Sequence, residues 1–246
     1  MPIAGNIAEI EERIQKACDV AGRKRDEITL MGVSKFLPVT MVEEAWNAGL
    51  RCFGESRVKE GVDKFGAFRK ERPELQLHLI GSLQRNKAKA AAFFFDCVQS
   101  VDRDELIAEL AKHSASDREK HLPVLLELHT GEDSKSGYEN IDALFHAAEM
   151  VLGSVGLKTG SLKTDGLKTG CLKPNGLMTM APYTQDNRLI RSSFRQLVKA
   201  QKELEKRFPP AENWACLSMG MSNDFEIAIE EGSTMLRIGS LIFGER

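Results

Sequence analysis

The chain has 246 residues, 42% of them apolar and 28% charged, with a formal net charge of -2. That length holds one α/β barrel or two smaller domains. Its interspersed charges and 7% aromatic content leave no basic, base-stacking footprint for nucleic acid.

No apolar run approaches the roughly 20 residues that span a bilayer. The acidic N-terminal stretch 1–12 lacks the basic and apolar regions of a signal peptide. Five cysteines, Cys18, Cys52, Cys97, Cys171 and Cys216, are far apart and form no Cys-x-x-Cys pair. They read as reduced thiols of a cytoplasmic protein and give no metal site.

The opening segment 6–22 places Ile7, Ile10, Ile14, Ala17 and Ala21 on one helical face, with Gly22 as the stop. Strand-like runs then fall at 28–34, 50–54, 75–81, 95–101, 123–129, 177–181, 214–219 and 234–239. Helical patterns lie between them, at 40–48, 56–69, 86–92, 104–113, 141–151, 189–208 and 224–231, with a short closing helix after Gly239. Strands alternating with helices imply parallel pairing through right-handed crossovers, and eight units imply a closed (β/α)8 barrel of the TIM type with an extra N-terminal helix. An open doubly wound sheet is the weaker alternative, because no Gly-x-Gly-x-x-Gly fingerprint is present.

One segment breaks this alternation. From Gly156 the chain repeats with a five-residue period, leucine second in each unit: Leu157, Leu162, Leu167, Leu172 and Leu177. So few units cannot stack a solenoid core. The single barrel domain 1–246 is therefore expected to carry a low-complexity insert at about 153–175, ahead of the sixth strand.

The candidate chemistry gathers at strand ends. Lys35 closes the first strand-like run, where α/β barrels place their functional groups. A partly desolvated lysine there can lose its proton and form a Schiff base. On position alone, a lysine marking where the strand meets water is the commoner case. Glycine-rich turns follow the last two strands, in 217–224 and 236–240. Gly220 allows close backbone approach to an anion, Ser222 offers a hydroxyl before the helix near Asp224, and Gly239 and Ser240 offer backbone N–H groups. Arg237 ends a strand inside the ring. A lysine on the first strand and a phosphate cradle after the seventh and eighth are neighbours in a closed barrel. An aldehyde on a phosphate-bearing ring joins them, and pyridoxal 5'-phosphate (PLP) is such a molecule.

Several short motifs occur in order: Val33-Ser34-Lys35, Phe53-Gly54-Glu55, His78-Leu79-Ile80-Gly81, Leu83-Gln84, Asn86-Lys87, Ser100-Val101-Asp102, the loop 131–137, Gly176-Leu177-Met178-Thr179-Met180, the run 217–226 and Arg237-Ile238-Gly239. Together they resemble the YggS/PROSC family, the pyridoxal phosphate homeostasis proteins, over nearly the whole chain. The resemblance implies a fold-type III PLP barrel like the N-terminal domain of alanine racemase. It implies that Lys35 carries the cofactor, that Arg237 faces the pyridine nitrogen, and that Ser222, Gly239 and Ser240 hold the phosphate. An arginine partner leaves the ring nitrogen largely unprotonated and the ring a weak electron sink.

The chain departs from the family pattern at Ser56, where asparagine is usual, at Ser82, where histidine is common, and at Glu127 and His129 in the fifth strand. Ser56 keeps one hydrogen bond to the ring pocket, and His129 is expected to fill a polar barrel position. His78 reads equally as a ligand contact or a satisfied core histidine, Glu55 as a salt-bridge partner, and Lys135 as a solvated loop lysine.

Two functions compete. One is a non-catalytic protein that holds PLP and buffers it or delivers it to apo-PLP enzymes. The other is a PLP-dependent amino-acid racemase. Racemisation needs a second base, a tyrosine from a separate β-domain. This chain is read as ending with the barrel at Arg246, and neither of its two tyrosines, Tyr138 and Tyr183, falls in such a domain. The expectation is therefore a PLP-binding monomer with no catalytic residue, no metal, and no nucleic-acid or membrane partner.

Overall fold

A computed structural model describes residues 2–114, 121–131, 136–154, 172–210 and 214–245. Helix α1 (Ile3–Ala21) buries Ile3, Ile7, Ile10, Ile14, Ala17 and Cys18, the three-and-four spacing of one helical face. It stops at Gly22, which takes φ 65°, while the Arg23 N–H returns to the Cys18 carbonyl at 2.9 Å. Eight parallel strands follow in sequence order and close on themselves: β1 (Thr29–Val33), β2 (Cys52–Glu55), β3 (Gln76–Leu79), β4 (Cys97–Val101), β5 (Leu122–Glu127), β6 (Leu172–Met178), β7 (Cys216–Ser218) and β8 (Met235–Ile238). The crossovers run through α2 (Val39–Asn47), α3 (Val58–Phe68), α4 (Ala88–Phe94), α5 (Asp104–Ser114), α6 (Ile141–Ser154), α7 (Asn187–Arg207) and α8 (Phe225–Glu230), and α9 (Ser240–Phe243) closes the chain. The barrel, its order and the extra N-terminal helix are those expected from the sequence.

Alternation along the strands separates two interiors. Outward residues such as Phe53, Leu77, Val98, Leu126, Leu217 and Leu236 pack under the helices in one continuous core. Inward residues form a sulfur-rich lining: Met31, Cys52 and Met235 on one side, Cys97, Leu125 and Met178 on the other, with Cys216 against both. Burial pushes the Cys216 thiol up to about 11, so it stays protonated and inert. Helix α1 straps the last unit to this frame. Asn6 Nδ2 donates to the Ile242 carbonyl at 2.9 Å, Arg13 Nε to Glu226 at 2.8 Å, and Arg23 to the Ser233 carbonyl at 2.6 Å.

The sixth strand departs from expectation. It begins at Leu172, so residues 172–175, read as the end of the repeat, are barrel backbone. A five-residue spacing would put Leu172 and Leu177 on opposite faces of a regular strand. A register shift opposite Val124 and Leu125 absorbs one residue, and both leucines pack outward, fully buried. Gly176 makes this possible: it takes φ 145°, and a Cβ there would lie 1.9 Å from the Cys216 carbonyl oxygen. Residues 155–171, which hold the rest of the repeat and Cys171, lie outside the described residues, as does Lys135.

Candidate functional site

Lys35 sits just past β1, at the C-terminal mouth of the barrel. Ser34 N–H extends the ladder by one bond, to the Gly54 carbonyl at 3.1 Å, and Leu37 N–H returns to the Ser34 carbonyl at 3.1 Å. The turn between them puts Phe36 at φ 65°, a left-handed conformation that is rare for a bulky side chain. Such a residue costs on the order of 1–3 kcal/mol and persists only where its surroundings enforce it.

Here the enforcement comes from α3. Glu60 accepts the Phe36 N–H. Lys64 Nζ donates to the Ser34 carbonyl at 2.6 Å, to Glu55 Oε1 at 2.8 Å and to Glu60 Oε1 at 3.0 Å. Ser34 Oγ completes the set, donating to Glu55 Oε1 at 2.7 Å. Glu55 is fully buried, and its Oε2 has no partner among the described residues. Burial raises its carboxyl above the usual range, against the hydrogen bonds from Lys64 and Ser34. Glu55 is thus the salt-bridge partner that the sequence indicated.

Beside Lys35, between the tips of β1, β2 and β3, lies a pocket of ≈ 580 Å³ whose walls include Phe36, Ser56, Arg57, Leu83 and Lys87. Its base depends on Gly81. A Cβ at that position would stand 2.3 Å from the Ser56 carbonyl oxygen, so only glycine lets the exit of β3 pass this close to the β2 loop.

On the other flank of β1 stands β8, with Met31 opposite Arg237 and Gly32 opposite Ile238. Arg237 is buried inside the barrel. It donates to the Ser218 carbonyl and hydroxyl, each at 2.7 Å, and to the Thr179 carbonyl at 2.8 Å. Its Nε–H has no partner among the described residues. Burial works against its charge, while Asp224 and Glu127 favour it. From Ser218 a polar layer crosses the lumen: Ser218 Oγ donates to Gln99 Oε1 at 2.7 Å, and the Gln99 amide meets His78 Nδ1 at 2.8 Å. Burial lowers His78 to about 4, so the ring is neutral and Nδ1 accepts. His78 is thus a buried, neutral member of this layer, held through Nδ1.

The loop after β7 is tied to β8 by the Arg237 N–H to Gly220 carbonyl bond of 3.0 Å. Met221 N–H donates to Asp224 Oδ1 at 2.6 Å and shapes the turn that carries Ser222. Helix α8 begins one residue later than expected and is only six residues long. Ser240 opens α9 with Gly239 as its cap. The hydroxyls of Ser56, Ser222 and Ser240 make no hydrogen bond among the described residues.

Lys35 and Ser56 therefore share one pocket, while Arg237, Ser222, Gly239 and Ser240 gather at the neighbouring strand ends. This donor set fits a phosphorylated aldehyde. It offers one amine, unspent hydroxyls for a phosphate, and one arginine N–H left for an acceptor atom.

The sequence reading left two features out of the site. Lys64 and Glu60 stand four apart on α3, a spacing visible in the sequence. Glu127, noticed there only as a departure, faces the lumen at 3% exposure, and its carboxyl is pushed up to about 7 by burial and by Asp102, against the pull of Arg237. His129 corrects an expectation. The chain leaves the barrel after Glu127, where Leu128 bridges to Tyr138, and His129 lines a cavity between α6 and α7, outside the lumen.

Comparison with known proteins agrees with this geometry. The sequence profile of the alanine racemase N-terminal domain matches residues 6–246. The pyridoxal phosphate homeostasis protein of Vibrio cholerae serotype O1 is 38% identical over 247 residues, covering 99% of this chain and 96% of that one. Among solved structures, PipY of Synechococcus elongatus with PLP bound superposes with a TM-score of 0.76 at 30% identity, covering 98% of this chain and 100% of that one. Alanine racemase from Oenococcus oeni, 16% identical with a TM-score of 0.67, covers 99% of this chain and 61% of that one, and shows the shared fold. No helix among the described residues is long and apolar enough to cross a membrane. With matches of this identity over nearly its full length, the chain belongs to the family of pyridoxal phosphate homeostasis proteins, built on the alanine racemase N-terminal domain.

Proposed function

We propose that this protein holds pyridoxal 5'-phosphate reversibly on Lys35 in the cytoplasm, as a monomer that buffers the cofactor or delivers it to apo-PLP enzymes, without catalytic turnover. The observation that carries the proposal is the placement of Lys35. Its turn is fixed from below by a buried ion network, and it stands between the Ser56 pocket and the β7–β8 loops. When bound, the cofactor supplies an aldehyde that condenses with a primary amine and releases water. Ser222, Gly239 and Ser240 would hold its phosphate, Arg237 Nε–H its ring nitrogen, and Ser56 the ring edge.

Two features support holding over turnover. The buried guanidinium of Arg237 disfavours a second positive charge beside it, so the ring nitrogen stays unprotonated and a weak electron sink. Neither tyrosine stands as a second base: Tyr138 Oη donates to Asp104 at 3.1 Å and burial drives its ionisation far up, while Tyr183 is 80% exposed. The test is absorbance of the protein with PLP before and after borohydride, with peptide mapping and an assay for amino-acid racemisation. A reducible adduct on Lys35 without racemisation is expected. An adduct on another lysine, or turnover, defeats the proposal.

A further inference from the structure

We propose that the pocket between the tips of β1, β2 and β3 is a second oxyanion subsite beside Lys35, and that it takes a phosphate monoester. The inference starts from the cofactor reading above and goes beyond it. Strand β1 has β8 on one edge and β2 on the other. A ligand reaching from Lys35 to Ser222 and Ser240, with its ring edge at Ser56, uses the β8 flank and leaves the Arg57, Lys59 and Lys87 side of the β2–β3 pocket to another group. The lining of that flank, ≈ 580 Å³ in volume, contains Arg57, Lys59 and Lys87 besides Lys35, and no acid. Lys59 is shared with Asp63. Arg57 lies 5.1 Å from the centre of the Phe36 ring, and neither it nor Lys87 has an acidic partner among the described residues.

Cations held around a concave wall repel one another and focus a positive potential into the pocket. With Lys35 condensed and Asp63 offsetting Lys59, the surplus is about two charges, matched by a phosphate monoester at about -1.5 to -2 near neutral pH. Ser82 and Gln84 add neutral polar groups to the same wall. Arginine is suited to bidentate binding of such an anion and lysine to a point contact.

The test uses borohydride-reduced holoprotein, in which Lys35 is permanently occupied. It is titrated by calorimetry at low ionic strength with inorganic phosphate and with pyridoxine 5'-phosphate, an alcohol that cannot condense with an amine. One saturable site per chain is expected, tighter for the monoester, and weakened at least tenfold when Arg57→Met is combined with Lys87→Met. No saturable heat, or an unchanged affinity in the double variant, overturns the subsite. Equal or weaker binding of the monoester overturns its assignment to an organic phosphate. The trapped fraction of Lys35, read by mass in the same samples, tests the cofactor reading separately. If nothing is trapped, that reading fails, and the same titration on the unreacted protein still decides the subsite.

Discussion

Lys64 and Glu55 meet at 2.8 Å beneath the tip of β1, their side chains 7% and 0% exposed. The pair is the keystone of the Lys35 turn. The same ammonium reaches the Ser34 carbonyl and the Glu60 carboxylate that caps the Phe36 N–H. Lys64→Met strands Glu55 in the interior without its counter-charge. Removing one partner of a buried pair costs about 3–5 kcal/mol. Adding Glu55→Leu removes the stranded charge, so the double variant should recover part of that loss. Urea unfolding of the two single variants and the double variant measures this, and simple additivity of the singles would show that the pair is not coupled.

Much of the barrel is legible in the sequence, because most strands are short, largely apolar runs between helical patterns. The sixth strand is less so. Pro174, Asn175 and Gly176 read as loop, and the register shift that lets Leu172 and Leu177 share a face appears only when β5 is beside them. The site divides the same way. Lys35 and Arg237 announce themselves by ending strands. The Glu55–Lys64 pair spans β2 and α3, and its depth follows only from how α3 packs. Glu127 is visible as a residue type, but its shifted carboxyl is a product of burial.

Glu127 makes stability depend on pH. Its folded carboxyl is raised from the ordinary 4.5 to about 7. A raised acid favours folding in its protonated form. That contribution is complete below about 4.5, declines as pH rises toward 7, and is gone above it. The shift corresponds to about 3 kcal/mol at most. Glu127→Gln keeps the shape and removes the titration, so it should be more stable than the parent at pH 8 and nearly equal to it at pH 5. Parallel urea curves at the two pH values, with no difference between the proteins, would refute the linkage.

Gly176→Ala tests the register of the sixth strand. The added methyl would meet the Cys216 carbonyl oxygen and must also adopt a backbone angle reserved for glycine. Both effects push β6 away from β7 just before the Thr179 carbonyl, which accepts from Arg237. The expected loss exceeds about 1 kcal/mol, together with weaker PLP retention. A variant with parental Tm would place the strain elsewhere.

The repeat itself is expected to be dispensable up to the point where it becomes a strand. Deleting residues 157–168 leaves Val155, Gly156, Thr169, Gly170 and Cys171 to join α6 to β6. Connections of this length are usual between a helix and the next strand of an α/β unit. Removing Leu172 as well takes away a fully buried residue of the helix-facing core, and burying a leucine contributes about 1.5–3 kcal/mol. The shorter deletion should therefore keep the parental Tm within a few degrees and retain PLP on Lys35, while extending it through Leu172 should lower Tm sharply. Comparison of the two by thermal unfolding and borohydride trapping decides the matter: a shorter deletion that unfolds or loses the cofactor would show that the upstream units hold the barrel together.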